Sequence, residues 1–168
     1  MPEQFRHKGR SKAQVYQEKK QRKQRKYLSS RERRSLGLMT LPTNSIIFAA
    51  MKPLQHLWNQ YMDDLKSGGA ADQFMAKLIK ADFHGAHMTV TQATCPTLIG
   101  ISGIVVQETA KTFNLVTQQN VVKSICKQGT VFSVVIGQMV YHLYGHQLQY
   151  RSSERAARKF KGKPTIEL

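Results

Sequence analysis

Apolar positions along the 168-residue chain change their period once, near residue 83. Before it, Leu54, Leu57, Trp58, Tyr61, Met62 and Leu65 recur at intervals of three or one, the signature of a single helical face. Pro53 suits the first turn of that helix, which predicts a helix over 54–65, and Ser67-Gly68-Gly69 ends it. Asp72 then fits the cap of a second helix whose apolar residues are Phe74, Met75, Leu78 and Ile79. After residue 83 the period shortens to that of strands, expected at 85–92, 98–108, 112–117, 120–126, 130–136 and 138–144, with a seventh piece at 147–151. Thr94-Cys95-Pro96, Ala110-Lys111, Gln118-Gln119, Gln128-Gly129 and Gly137 separate them. Short strands with short connections imply an antiparallel meander, and six of them suit a small barrel, whose closure removes exposed edges. Gly100 and Gly103 interrupt the long run at 98–108, where a glycine permits one strand to bend around such a barrel.

The first 28 residues read differently. Lys12 to Leu28 contains good helix formers but no apolar stripe, and such a helix is marginal alone in water. A solvated tail is expected, ordered only when a polyanion neutralises Lys19, Lys20, Arg22, Lys23, Arg25 and Lys26. The same cluster can be read as a nuclear-localisation patch. Ser29 followed by Glu32 forms a capping-box pattern, so a short helix should start near residue 30. Arg31, Arg33 and Arg34 sit in its first turns, where basic charge opposes the helix dipole; a function that uses the charge accounts for them. The chain thus divides into a basic extension over 1–28, a helical segment over 29–80, a β-rich body over 81–150 and a basic end over 151–168.

Charge sharpens this division. Residues 1–36 carry a net +10, residues 37–150 only +2, and residues 151–168 a net +4, within a total of +16. All the arginines lie in the two ends, and guanidinium is the better phosphate fork and stacking partner. A nucleic acid is the expected partner, and a membrane is not, since no apolar run approaches the roughly 20 residues of a span. The 40% hydrophobic content is enough for a core. Two cysteines, Cys95 and Cys126, cannot build a four-cysteine zinc site, and such sparse cysteine fits a reducing, intracellular compartment.

Candidate chemistry is thin. Gly100-Ile101-Ser102-Gly103 spells the GXXG of KH domains, but β-branched flanks argue against that loop. A two-metal nuclease needs clustered carboxylates, whereas Asp63 and Asp64 point about 100° apart on a helix. His84 and His87 could form an acid–base pair for metal-free RNA cleavage, yet on one strand they would face opposite sides. His142 and His146 bracket a glycine-containing turn and read as packing residues. Neither a catalytic nor a metal-binding residue is assigned. The run from Tyr150 to Lys163 reads as a helix capped by Ser152 or Ser153 and stopped by Gly162. On it Arg151, Arg155 and Arg158 share a face that could track phosphates.

Four blocks, LQHLWNQYM at 54–62, KLIKADFHGA at 77–86, CPTLIGISGIVVQET at 95–109 and RSSERAARKFKGKPTIEL at 151–168, make the sequence recognisable. Together with Ser29 to Arg34, they resemble the Pop-four, or Rpp-twenty-nine, family of protein subunits shared by ribonuclease P and ribonuclease MRP. The resemblance spans residues 29–168 and departs at Gly145–Leu148 and around Gln119–Lys127; the start is shorter than in eukaryotic members, as a fragment or short isoform would be. It implies a mainly β fold, a six-stranded Sm-like barrel with N-terminal helices and a basic C-terminal helix. It implies an RNA-bound, non-catalytic subunit of a nuclear and nucleolar ribonucleoprotein that removes 5′ leaders from precursor tRNA and processes rRNA. The catalytic RNA, with its Mg²⁺, would perform the chemistry, and this chain would bind no cofactor. Carried over by motif, the RNA-facing residues are Arg31, Arg33, Arg34, Lys80, His84, Arg151, Ser152, Ser153, Arg155, Arg158, Lys159 and Lys161. Leu54, Leu57, Trp58 and Tyr61 would meet protein partners, such as a zinc-ribbon subunit, and precursor tRNA is a further expected partner. The alternatives are a ribosomal-type small-barrel protein, whose composition would be nearly the same, and a His-dependent ribonuclease.

Overall fold

The computed structural model describes residues 11–26, 28–38, 40–42, 45–67 and 71–160. The chain divides into two units, 1–42 and 43–168. Among the described residues no helix is long and apolar enough to cross a membrane.

In the first unit, α1 runs from Lys12 to Lys26 and α2 from Ser30 to Ser35. Each opens on a reciprocal cap. The Ser11 N–H donates to Gln14 Oε1 at 3.0 Å while the Gln14 N–H donates to Ser11 Oγ at 3.2 Å. Ser29 and Glu32 do the same for α2, at 2.7 and 3.2 Å, as the capping-box pattern predicts.

The second unit opens with α3, Phe48–Ser67, and α4, Ala71–Leu78. α3 begins five residues before Pro53, which therefore stands inside the helix. The expectation of a start at Pro53 fails because the true N-terminus is capped from a distance. Asn120, in the turn at 117–121 with φ +60°, accepts the Phe48 N–H through Oδ1 at 2.9 Å. Asp72 lies within α4 rather than ahead of it.

The strands are β1 His87–Ala93, β2 Ser102–Glu108, β3 Thr112–Val116, β4 Val122–Cys126, β5 Thr130–Ile136 and β6 Met139–Tyr144. All pairings are antiparallel, in the order β4-β3-β2-β1-β5-β6. A plain meander would pair β4 with β5. Instead β5 crosses over to pair with β1, so the sheet is an open one with β4 and β6 at its two ends. The expected seventh piece is a 3₁₀ turn, Gly145–Leu148, and residues 96–98 form another. Gly100 (φ +85°) therefore lies outside β2. Gly103 is inside it, where a Cβ would stand 2.4 Å from the Val116 carbonyl oxygen, so it serves close approach to β3. The register shifts that bend the sheet fall instead at Val90/Gln92 and Val105/Gln107.

The core gathers on one side of the sheet and against both helices. Phe83, Phe113 and Phe132 meet edge to face at 5.9 and 5.2 Å, with Met62, Leu78 and Ile125 buried around them. Trp58 is only 4% exposed and donates Nε1–H to the Asp82 carbonyl oxygen at 2.8 Å. It is a core residue, which corrects its assignment to a protein interface. Leu54 is half-buried, whereas Leu57 and Tyr61 on the same helix stay exposed.

Candidate nucleic-acid interface

Most of the sequence-derived cations stand on the surface. Lys19 and Lys20 are exposed on α1, and Arg31, Arg33 and Arg34 are exposed on α2. The side chains of Arg22, Lys23, Arg25 and Lys26 lie outside the described residues, as does Lys161. In the second unit Lys80 is exposed just past α4. Arg151, Ser153, Arg158 and Lys159 are exposed along the chain's basic end, with Ser152 half-buried between them.

That end is a shorter helix than its sequence suggests. α5 covers Ser152–Ala157, with Arg151 rather than a serine at the cap position and its N–H pointing to Glu154 Oε2 at 3.5 Å. At Arg158 the backbone turns extended (φ −84°, ψ 148°), so the helix ends well before Gly162. Arg155 is completely buried, with its guanidinium gripping both carboxylate oxygens of Glu108 and donating from Nη2 to the Ala81 carbonyl at 2.6 Å. Its spacing from Arg151 and Arg158 shows a shared helical face, but that face turns inward at its middle. Arg155 is therefore withdrawn from the RNA-facing set.

Lys127 completes this network, and nothing local in the sequence points to it. Its ammonium, also wholly buried, shares its three N–H donors among four oxygens, Glu108 Oε1 at 2.7 Å and the carbonyls of Thr109, Leu148 and Tyr150 at 2.8, 2.8 and 3.0 Å. It lies 4.4 Å from the Phe113 ring centroid, and Arg155 lies 4.8 Å from that of Phe83. Burial pushes the Lys127 ammonium below the ordinary lysine value, against the pull of Glu108. Two buried cations on one carboxylate are tolerable only because nearly every donor is matched.

Asp82 and His84 extend the cluster outward. His84 Nδ1–H donates to Asp82 Oδ1 at 2.6 Å, and His84 Nε2 accepts the Glu108 N–H at 3.2 Å. The Asp82 bond raises the imidazole above its ordinary value against partial burial. Partial burial of Asp82 works the other way, but the His84 bonds outweigh it and lower the carboxyl. Both ring nitrogens of His84 are thus engaged within the protein, and His84 too leaves the RNA-facing set. His84 sits in the turn before β1, not on a strand with His87, so the strand argument against that pair does not apply; its own occupied nitrogens do. Asp82, His84 and Glu108 bring ligand-type atoms within 4.8 Å of one another. With both Glu108 oxygens held by cations, Glu108 serves as the shared counter-ion of a buried clasp with Lys127 and Arg155.

The clasp sets up the surface above it. The Tyr150 carbonyl is fixed by Lys127, and the Arg158 N–H donates to the Arg155 carbonyl at 3.2 Å. Between those two anchors the Arg158 guanidinium lies over the Tyr150 ring, 4.0 Å from its centroid.

Residues 76–158 match the family described as ribonuclease P/MRP, subunit p29. The chain is 41% identical over 155 residues to ribonuclease P protein subunit p29 of Bos taurus, covering 90% of this chain and 70% of that protein. Identity to the human protein of the same name is 41% over 157 residues, covering 91% and 71%. The probable ribonuclease P protein subunit 1 of Schizosaccharomyces pombe is 33% identical over 150 residues, covering 87% and 69%.

Proposed function

Because this chain belongs to the family of ribonuclease P/MRP subunit p29, we propose that it binds and scaffolds the RNA of those ribonucleoproteins in tRNA and rRNA processing. The observation that carries the reading is the likeness to the mammalian subunits, which runs through nine-tenths of this chain. The exposed cations on α1, α2 and residues 151–159 support it, because phosphate contacts position a protein on RNA and do not need a cleft. Chemistry would rest with the catalytic RNA and the Mg²⁺ it holds, and this chain would contribute no cofactor of its own. Glu108, the buried carboxylate beside His84, is committed to Arg155 and Lys127.

The finer details belong to the same proposal. The open sheet would close as an Sm-like barrel, bringing its end strands β4 and β6 together. Exposed Leu57 and Tyr61 would receive a protein partner, the zinc-ribbon subunit, while precursor tRNA passes near the basic end. The complex would work in the nucleus and nucleolus.

The test is to isolate the tagged protein from its own cells and sequence the RNA that accompanies it. Enrichment of ribonuclease P and MRP RNAs with leader-removing activity is the expected result; ribosomal RNA alone, or cleavage that survives removal of all RNA, would overturn the proposal. On purified RNA, neutralising about six phosphates gives log affinity against log salt a slope of about −4 to −5. Arg151→Ala with Lys159→Ala should flatten that slope by up to about two contacts.

A further inference from the structure

We propose that the Arg158–Tyr150 pair is a stacking step for an unpaired RNA base, held in place by the Lys127–Glu108–Arg155 clasp beneath it. The inference rests on the RNA-binding reading above and assigns one contact within it a chemistry other than phosphate pairing.

Two observations carry it. Arg158 lies over the Tyr150 ring at 4.0 Å, remains exposed, and among the described residues has no carboxylate in ion-pair range. A guanidinium occupied on one side by a ring and open on the other is a flat cation, suited to the π-face of a base. The second observation is the anchoring. Tyr150 is tied through its carbonyl to Lys127, and its own N–H donates to the Leu148 carbonyl at 2.7 Å. Arg158 lies three residues past Arg155 and is tied to it by its N–H on the Arg155 carbonyl, and Arg155 cannot move without breaking the Glu108 pair. Exposed long side chains ordinarily lose entropy on binding; here much of the ordering is already present in the free protein. Arg151 and Lys159 are exposed on either side in sequence and would take the flanking phosphates. A base extruded from a loop or bulge fits such a step, because paired bases keep their faces covered.

The test uses the full chain and two probes: a short single-stranded RNA carrying one 2-aminopurine, and the same strand annealed to its complement. Arg158→Lys keeps the charge and removes the plane; Tyr150→Leu removes the ring. Wild type should quench 2-aminopurine emission on binding the single strand. Arg158→Lys should weaken that binding by on the order of fivefold or more and abolish the quench, leaving the salt slope and duplex affinity unchanged. Tyr150→Leu should do likewise, and because its ring is half-buried a thermal melt checks that it folds. If Arg158→Lys binds and quenches as wild type does, the stacking step is wrong and the RNA-binding reading stands. An equal loss on both probes marks a phosphate contact and also overturns it. If wild type binds neither probe, the RNA-binding reading itself fails.

Discussion

Replacing Glu108 with glutamine keeps the side chain's shape and removes its charge, leaving Lys127 and Arg155 as two wholly buried cations with no counter-ion between them. Breaking a buried pair by removing one partner costs about 3–5 kcal/mol, and here one substitution breaks two pairs, so the upper part of that range applies. Against a total stability of about 5–15 kcal/mol that is a large fraction. For a unit of this size it corresponds to a fall in Tm of about 10–20 °C. Arg155→Met should cost less, since it leaves Glu108 and Lys127 as a neutral pair. Urea denaturation followed by Trp58, the only tryptophan and buried in the core, reads all three proteins with one native probe. The pH dependence supplies an independent check. Burial already holds the Lys127 ammonium below its ordinary value of 10.5, and losing Glu108 must lower it further. A group whose folded pKa lies below its unfolded one binds fewer protons when folded, so stability rises with pH between the two values. The deficit of Glu108→Gln should therefore narrow as pH climbs toward 10.5. A loss under about 1 kcal/mol, or a deficit that is flat with pH, would refute the claim that this carboxylate neutralises the buried cations.

Two further predictions concern local devices. Asn120→Ala removes the remote cap of α3 and keeps a Cβ at positive φ, so it should cost about 1–2 kcal/mol in the same urea assay, whereas Asn120→Gly loses the cap alone and should cost less; equal losses would show that the backbone strain is immaterial. His84 should titrate above the ordinary 6.5 by NMR, because protonation gives up only a long bond to the Glu108 N–H while strengthening the one to Asp82. Its folded pKa being raised, the stability it adds is complete below 6.5 and lost as pH rises through the folded value; Asp82→Asn should bring the titration down, and an unmoved midpoint would break the assignment.

The six strands were legible because each is local. β-branched alternation is bounded by turn residues such as Gly129 and Gly137, both at positive φ, so boundaries fall within a few residues of those read from sequence. What could not be read was set by distant partners. The start of α3 depends on Asn120, 72 residues away. The inward turn of Arg155 depends on Glu108, 47 residues back, and an arginine at helical spacing looks the same whether it faces solvent or a buried carboxylate. For the same reason His84 and Arg155 joined the expected RNA-facing residues while Lys127 was overlooked. Charge alone gave the surface set on α1, α2 and residues 151–159. It could not identify Tyr150 as the ring beneath Arg158, although an aromatic beside an arginine-rich end was the one available hint.

The clasp also imposes an order on synthesis. Glu108 and Lys127 emerge from a ribosome well before Arg155, and until residues 148–155 follow, Lys127 lacks the Leu148 and Tyr150 carbonyls and Glu108 lacks its guanidinium. A nascent chain with its sheet residues complete therefore still carries an unfinished buried cation, and hydration of that cation opposes closing the core around it. Translation proceeds at about 5–20 residues per second, so synthesis of residues 148–155 separates an open intermediate from a sealed domain by only seconds. Those eight residues thus act as the closing stitch of the fold.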